Sequence, residues 1–287
     1  MSDLPGPIEP TTKTTIPTSD GALYAETFVP KTAAKGVVLV THGYAEHCGR
    51  YREVAHVLVN DGWAVLTYDC RGHGQSPGVR GFIDRFETYL TDLRAVHART
   101  GELAPGKPLV LLGHSHGSLI TLRALCGDPP VEAVCAIVSS PYLGLRLQVP
   151  AYKKLLARAA SRLAPSLAQP NSLRVEDLTA DKGKQAERLA DKLCFDVATA
   201  RWYTESSAAQ AYVLEHAGRI KIPTTWLVGA ADPIADPAAS RRVADRVPKA
   251  QYHDLVGLKH EVFNEVDRGK VFSQLTSALA ACGAASA

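Results

Sequence analysis

Short apolar runs that do not alternate with polar residues recur along this chain, separated by segments of helical periodicity. Gly36-Val-Val-Leu-Val40, Ala64-Val-Leu-Thr67, Leu109-Val-Leu-Leu112, Val134–Val138, Thr225-Trp-Leu-Val228 and Tyr252–Val256 read as strands. Successive strand residues point to opposite faces of a sheet, so a run apolar on both faces needs cover on both. The cover is legible too. Tyr51, Val54, Ala55 and Leu58 fall at i, i+3, i+4 and i+7, and Tyr89, Leu93, Val96 and Thr100 follow the same spacing. A helix is expected over Ser118–Cys126, and a closing one carries Val271, Phe272, Leu275 and Leu279. Strand–helix alternation of this kind specifies an α/β fold with a mostly parallel central sheet flanked by helices.

The alternation lapses between Tyr142 and Ile222, a stretch with helical and loop-like character and no convincing strand. It is expected to be a helical cap inserted into the sheet domain. The organisation is then core over residues 1–141, cap over 142–221 and core again over 222–287. Residues 1–20, rich in Pro and Thr, are expected to form a loose lead-in.

Composition removes several function classes. A chain of 287 residues with 46% hydrophobic and 21% charged residues can build a core without staples. Its formal charge of +3 is too small and too evenly spread for nucleic acid. No apolar run reaches the roughly 18 residues of a membrane span. The opening Met-Ser-Asp-Leu-Pro-Gly-Pro lacks the basic segment and apolar run of a secretory signal. Six cysteines (Cys48, Cys70, Cys126, Cys135, Cys194 and Cys282) are scattered, with no C-x-x-C, so zinc is not expected. Cys135, inside an apolar run, reads as a buried thiol. Free thiols without a signal point to the cytoplasm.

Gly113-His-Ser-His-Gly117 matches G-x-S-x-G. The pentapeptide alone is modest grounds, since chance supplies about 0.1 occurrence in a chain of this length. Its setting adds more: it directly follows a buried-strand run and directly precedes a helix, as a nucleophile elbow requires. The alternative is a plain strand–helix turn with an ordinary serine.

A serine hydroxyl needs a base. In open α/β sheets the site lies beyond the carboxyl ends of the strands. His260 follows the last strand, whereas His253 lies within it and reads as structural. His114 and His116 flank the serine and read as pocket or packing residues. The acid is expected after a strand between serine and histidine, and Val228-Gly-Ala-Ala-Asp232-Pro fits. Asp236 is the nearby competitor; Asp232 is preferred because it is closer to the strand end. For either, the alternative is a turn or helix-cap aspartate. An oxyanion needs two backbone N–H groups. One is expected from His116, the other from the loop Thr41–Tyr51.

That loop carries a resemblance. His42-Gly43-Tyr44-Ala45-Glu46-His47 with Arg50-Tyr51, Asp69-Cys-Arg71-Gly-His73-Gly-Gln-Ser76 with Gly78-Val-Arg80-Gly81, and Lys259-His260-Glu261-Val-Phe-Asn264-Glu265 resemble the monoacylglycerol lipase family. That family belongs to the wider group of α/β-fold serine hydrolases with the lysophospholipases and the so-called serine aminopeptidases. The resemblance spans roughly residues 20–145 and 223–282 and implies the α/β-hydrolase fold. It implies Ser115, Asp232 and His260 as catalytic triad and the N–H groups of Tyr44 and His116 as oxyanion hole. His42 and the turn Arg71–Ser76 become scaffold. The chain departs from the family after the serine, with His-Gly-Ser118 in place of the usual Met-Gly-Gly. This implies a narrower or more polar acyl pocket.

The cap shows no such match. From Arg146 to Val175 it has six basic residues (Arg146, Lys153, Lys154, Arg158, Arg162 and Arg174) and no acidic one. Tyr152, Leu155, Leu156, Ala159 and Leu163 interleave with them near helical spacing. Either the apolar side covers the site and the charges are solvated, or the helix meets an anionic membrane surface.

The expected activity is hydrolysis of a carboxylic ester of a monoacyl lipid, foremost a monoacylglycerol, through an acyl-enzyme on Ser115. The chemistry calls for no metal or organic cofactor. Rivals are a lysophospholipase or short-chain carboxylesterase, an aminopeptidase (though no acidic cluster suits a free amine), and a non-catalytic binding module. A dehalogenase would need a carboxylate at position 115.

Overall fold

The computed structural model describes residues 4–146, 150–171 and 173–284. The first three residues and the end of the Ala-rich tail lie outside the described residues, as does the side chain of Lys154.

The chain opens with two strands, β1 (Thr12–Thr18) and β2 (Gly21–Phe28). It continues through β3 (Val37–Thr41), α1 (Arg52–Asn60), β4 (Ala64–Tyr68), α2 (Phe86–Ala98), β5 (Leu109–His114), α3 (His116–Leu125) and β6 (Cys135–Ser139). It then leaves the sheet for α4 (Ala151–Leu163), β7 (Ala168–Pro170), α5 (Val175–Leu178), α6 (Lys182–Ala190), β8 (Val197–Thr199) and α7 (Ala200–His216). It returns as β9 (Thr224–Gly229), α8 (Pro237–Ala244), β10 (Ala250–Leu255) and α9 (Arg268–Ala284). The sheet order is β1-β2-β4-β3-β5-β6-β9-β10. The β1–β2 and β2–β4 pairs are antiparallel and the rest parallel.

Each sequence run expected as a strand lies in this sheet, and the reason is visible in the core. Val38 and Val40 belong to one hydrophobic layer, with Val54, Ala55 and Leu58 of α1 and Val271, Leu275 and Leu279 of α9. Leu39 belongs to the other, with Tyr89 and Leu93 of α2, Leu119 and Leu122 of α3, and Val243 of α8. Both faces of β3 are covered, so no polar alternation is tolerated there. A fully buried side chain such as Leu39 or Leu58 contributes about 1.5–3 kcal/mol.

Three expectations are corrected. Residues 12–18 are not a loose lead-in but the edge strand β1, paired with β2 from Thr12↔Thr27 to Thr18↔Gly21. The strand shows no apolar run because most of it faces water: Ile16 is buried, and Pro17 is tolerated at an edge. The stretch between β6 and β9 is not free of strands, since β7 and β8 form a small antiparallel ribbon. Cys135 is not a free thiol: at the start of β6 it is bonded to Cys282 of α9, with Cα atoms 5.9 Å apart. That pair no longer contributes to the compartment argument built on free thiols. No helix among the described residues is long and apolar enough to cross a membrane.

β3 lies between β4 and β5, so the chain runs outward from β3 in one direction and then resumes on its other side. At such a switch point the loops after adjacent strands diverge and leave a crevice at the carboxyl ends. The loop after β3 and the turn after β5 meet there.

Candidate active site

Ser115 sits between β5 and α3 with φ 49° and ψ −113°. This backbone is strained for a residue with a Cβ. Its surroundings hold it: Ser115 N donates to Ser139 O at 2.9 Å, and Ser115 O accepts from Leu119 N at 3.2 Å and Tyr142 N at 3.1 Å. The flanking glycines are sterically required. A Cβ on Gly113 would lie 2.7 Å from Cα of Ser118, and one on Gly117 would run into the carbonyls of Thr41 and His42.

Ser115 Oγ lies 2.9 Å from His260 Nε2, and His260 Nδ1 lies 2.7 Å from Asp232 Oδ2. All three residues are buried. Asp232 Oδ1 accepts from the backbone N–H groups of Ile234 and Ala235, at 2.8 and 3.0 Å. Its side chain is therefore an acceptor on both oxygens. His260 donates through Nδ1–H, leaving the Nε2 lone pair to accept from the Ser115 hydroxyl.

Burial works against a charged imidazole at His260, yet the Asp232 carboxylate reverses the balance and the pKa is raised. The neighbouring imidazoles go the other way. Burial, with His260 close by, pushes His114 down to about 4, and burial with His42 nearby pushes His116 down to about 3. Burial also lowers His42 and His73. Within this group, His260 is the ring whose environment favours taking a proton.

The remaining sequence candidates separate by position. Asp236 caps α8, accepting from Ala238 N at 3.0 Å. His253 lies within β10. His114 bonds Ser139 Oγ at 3.0 Å and reaches the cavity wall. His116 is packed beside Phe86, Tyr89, Trp202 and Tyr44, with ring centroids 5.0–6.1 Å away. The His116 ring is not among the residues that line the cavity. His42 is scaffold: Nδ1 donates to Gly43 O at 2.6 Å and Nε2 accepts from Cys70 N at 2.9 Å. The Arg71–Ser76 turn is tied down by Asp69, which accepts from Cys48 N and Gln75 N, both at 2.7 Å. Cys48, in the loop after β3, is buried.

Tyr44 and His116 lie where the β3 loop and the elbow meet, and no intramolecular acceptor satisfies either backbone N–H among the described residues. Neighbouring Gly43 N is satisfied by Glu46 Oε1 at 2.6 Å.

A cavity of about 650 Å³ opens above Ser115 and His260. Much of its wall is apolar, including Tyr142, Leu145, Leu156, Ala160, Trp202 and Ile234. Glu46, Arg188 and Glu261 form a polar part of the lining. Arg50 bridges Glu46 and Glu261 at 3.0 and 2.6 Å, and Arg188 reaches Glu261 at 3.5 Å. Burial works to raise both carboxyl pKa values, but Arg50, helped by Arg188 and His114, holds both low. This network was not legible in the sequence, because Arg188 comes from the insertion. Nor was Arg146, whose guanidinium donates to Asp232 O at 2.8 Å and so braces the acid's turn.

His47, Asp191 and Cys194 place metal-ligating atoms within 4.8 Å of one another. The His47 ring is already engaged, with Nε2 2.6 Å from Asp191 and Nδ1 accepting from Gly49 N at 3.2 Å. The Arg188 guanidinium, 3.8 Å from the sulfur, further disfavours a cation.

The chain is similar to known proteins over most of its length. The chain is 30% identical over 260 residues to the monoacylglycerol lipase of Mycolicibacterium smegmatis, covering 88% of this chain and 90% of that one. It is 28% identical over 241 residues to phospholipase YtpA of Bacillus subtilis, covering 82% and 92%. The crystal structure of Paleococcus ferrophilus monoacylglycerol lipase superposes with a TM-score of 0.82 at 27% identity, over 91% of this chain and 99% of that one. Residues 32–267 match the family model for serine aminopeptidase, S33. With an elbow serine at the carboxyl edge of a mostly parallel sheet and a family match over most of its length, the chain belongs to the S33 serine aminopeptidase family and has the α/β-hydrolase fold.

Proposed function

We propose that the protein is a serine esterase that hydrolyses monoacyl lipids, foremost monoacylglycerols, with Ser115 as nucleophile, His260 as general base and Asp232 as the acid behind it. One observation carries the reading: the unbroken hydrogen-bond chain Ser115–His260–Asp232 opens into a largely apolar cavity. The relatives named monoacylglycerol lipase, from Mycolicibacterium smegmatis, and monoglyceride lipase, from Mus musculus, support the substrate class.

The substrate carbonyl approaches Ser115 Oγ as His260 Nε2 removes the hydroxyl proton. Negative charge on the carbonyl oxygen is met by the N–H groups of Tyr44 and His116, fixed in place before the reaction. Asp232 holds Nδ1–H and stabilises the imidazolium. The alcohol departs with the proton from Nε2, leaving an acyl group on Ser115. Water, deprotonated by the same nitrogen, releases the fatty acid. Residues 142–221 act as the cap over this site, since they supply much of the cavity wall.

α4 has a second role in this proposal. Tyr152 and Leu156 line the cavity, whereas Leu155 and Leu163 do not and are 67% and 86% exposed. With Lys153, Arg158 and Arg162 on the same helix, this apolar surface suits an anionic lipid interface, where the substrate resides.

The test is labelling with a fluorophosphonate, with the adduct located by mass spectrometry and Ser115→Ala run beside it. Labelling confined to Ser115 is expected, and its absence from well-folded protein would overturn the esterase reading. Comparison of monoacylglycerols, lysophosphatidylcholine and nitrophenyl esters then decides between this reading and a phospholipase, as the Bacillus subtilis relative is named.

A further inference from the structure

The loop after β3 is tied to the insertion at three of its residues. Tyr44 Oη donates to Val197 O at 2.7 Å, and its ring stacks on Trp202 with centroids 3.8 Å apart. Ala45 O accepts from Phe195 N at 3.3 Å and from Arg188 Nη2 at 3.2 Å. His47 Nε2 meets Asp191 Oδ2 at 2.6 Å. All these partners lie on one limb of the insertion, from Arg188 to Trp202. The limb is itself anchored to the core: Thr199 donates to Gly81 O through its N–H at 3.1 Å and its hydroxyl at 2.9 Å.

The loop needs such support. Ala45 has φ 61°, which a residue with a Cβ adopts only when its surroundings impose it. The bonds that the insertion makes to Ala45 O and to the Tyr44 phenol fall on this residue and the one before it. An oxyanion donor works only if held in position beforehand, and a misplacement of about 1 Å can cost on the order of 100-fold in rate.

We infer that the Arg188–Trp202 limb holds the oxyanion loop in its working shape, with the Tyr44 phenol as the positioning group for Tyr44's own backbone N–H. The cap then does more than shape the cavity, since its seating and the oxyanion hole form one mechanical unit. This inference rests on the esterase reading above and names how that site is controlled. A cap that lifts along this limb takes the loop's support with it, so the hole is complete only when the limb is seated.

The test uses Tyr44→Phe, which removes the bond to Val197 and keeps the stacked ring, and Asp191→Ala, which frees His47 outside the cavity lining. kcat and KM are measured with a monoacylglycerol, alongside the affinity of an acyl trifluoromethyl ketone, whose serine adduct carries an oxyanion. The expected result for Tyr44→Phe is a fall in kcat of about 3–10-fold, the scale of one lost hydrogen bond. Ketone affinity should fall in the same proportion, with KM within about twofold of wild type. Asp191→Ala should move both in the same direction by a smaller factor. If kcat and ketone affinity stay at wild-type values in both variants while only thermal stability or KM changes, the inference is overturned. Wild-type protein that takes no fluorophosphonate on Ser115 would instead overturn the esterase reading beneath it.

Discussion

Asp232 and Asp236 share one turn after β9 but direct their carboxylates to different partners. Asp232 receives the His260 ring at 2.7 Å, whereas Asp236 receives the backbone N–H of Ala238 at 3.0 Å and starts α8. Asp232→Asn should therefore lower kcat by about 10⁴-fold, because an amide no longer fixes the imidazole tautomer. Asp236→Ala should leave kcat within twofold and lower stability by about 1 kcal/mol through loss of a helix cap. Steady-state kinetics and urea denaturation of the two variants check both halves, and the reverse pattern would reassign the acid.

The acid limb of the pH profile should belong to His260. Its pKa is raised by Asp232 against the opposing effect of burial. A general base works when deprotonated, so activity is lost as pH falls through that pKa. The midpoint in kcat/KM should thus lie above the ordinary imidazole value of about 6.5. His114 and His116, pushed down to about 4 and about 3, are already neutral there and add no inflection above pH 5 or so. A profile that stays flat into strongly acidic solution would rule out His260 as the base.

The Cys135–Cys282 bond closes a loop of 147 residues in sequence separation. Such a cross-link stabilises mainly by restricting the unfolded chain, typically by about 2–5 kcal/mol. Urea denaturation with and without reductant, and of Cys282→Ser, should show a loss of that size. Coincident curves would mean the bond contributes nothing.

Binding to lipid should depend on the outward side of α4. Leu155→Glu and Leu163→Glu place charge on residues outside the cavity lining. Both variants should keep turnover of a soluble short-chain ester and lose sedimentation with anionic vesicles at low salt. Wild-type protein that never sediments with such vesicles would remove the membrane contact from the proposed function.

The legible part of this fold was its most buried part. β3, β5 and β6 are covered on both faces, so their residue types were dictated at every position. β1 escaped notice because one buried residue, Ile16, does the packing while its exposed positions were free to become Thr and Lys. β7 and β8 are too short, at three residues each, to show any periodicity. At the site, Ser115, Asp232 and His260 announced themselves through their place beside strand ends. Arg146, Arg188 and Trp202 did not, because their roles depend on how the insertion folds back, and no local pattern encodes that. The bond between Cys135 and Cys282 is invisible for the same reason: spacing in sequence says nothing about which sulfurs meet.

Asp232, His260 and the whole insertion lie between the two bonded cysteines, while Ser115 precedes them. A protease that severs an exposed stretch such as the one around Leu163 and Leu167 would therefore release nothing. Both pieces stay covalently joined through β6 and α9, one carrying Ser115 and the other His260, and under non-reducing conditions the nicked protein migrates as a single chain.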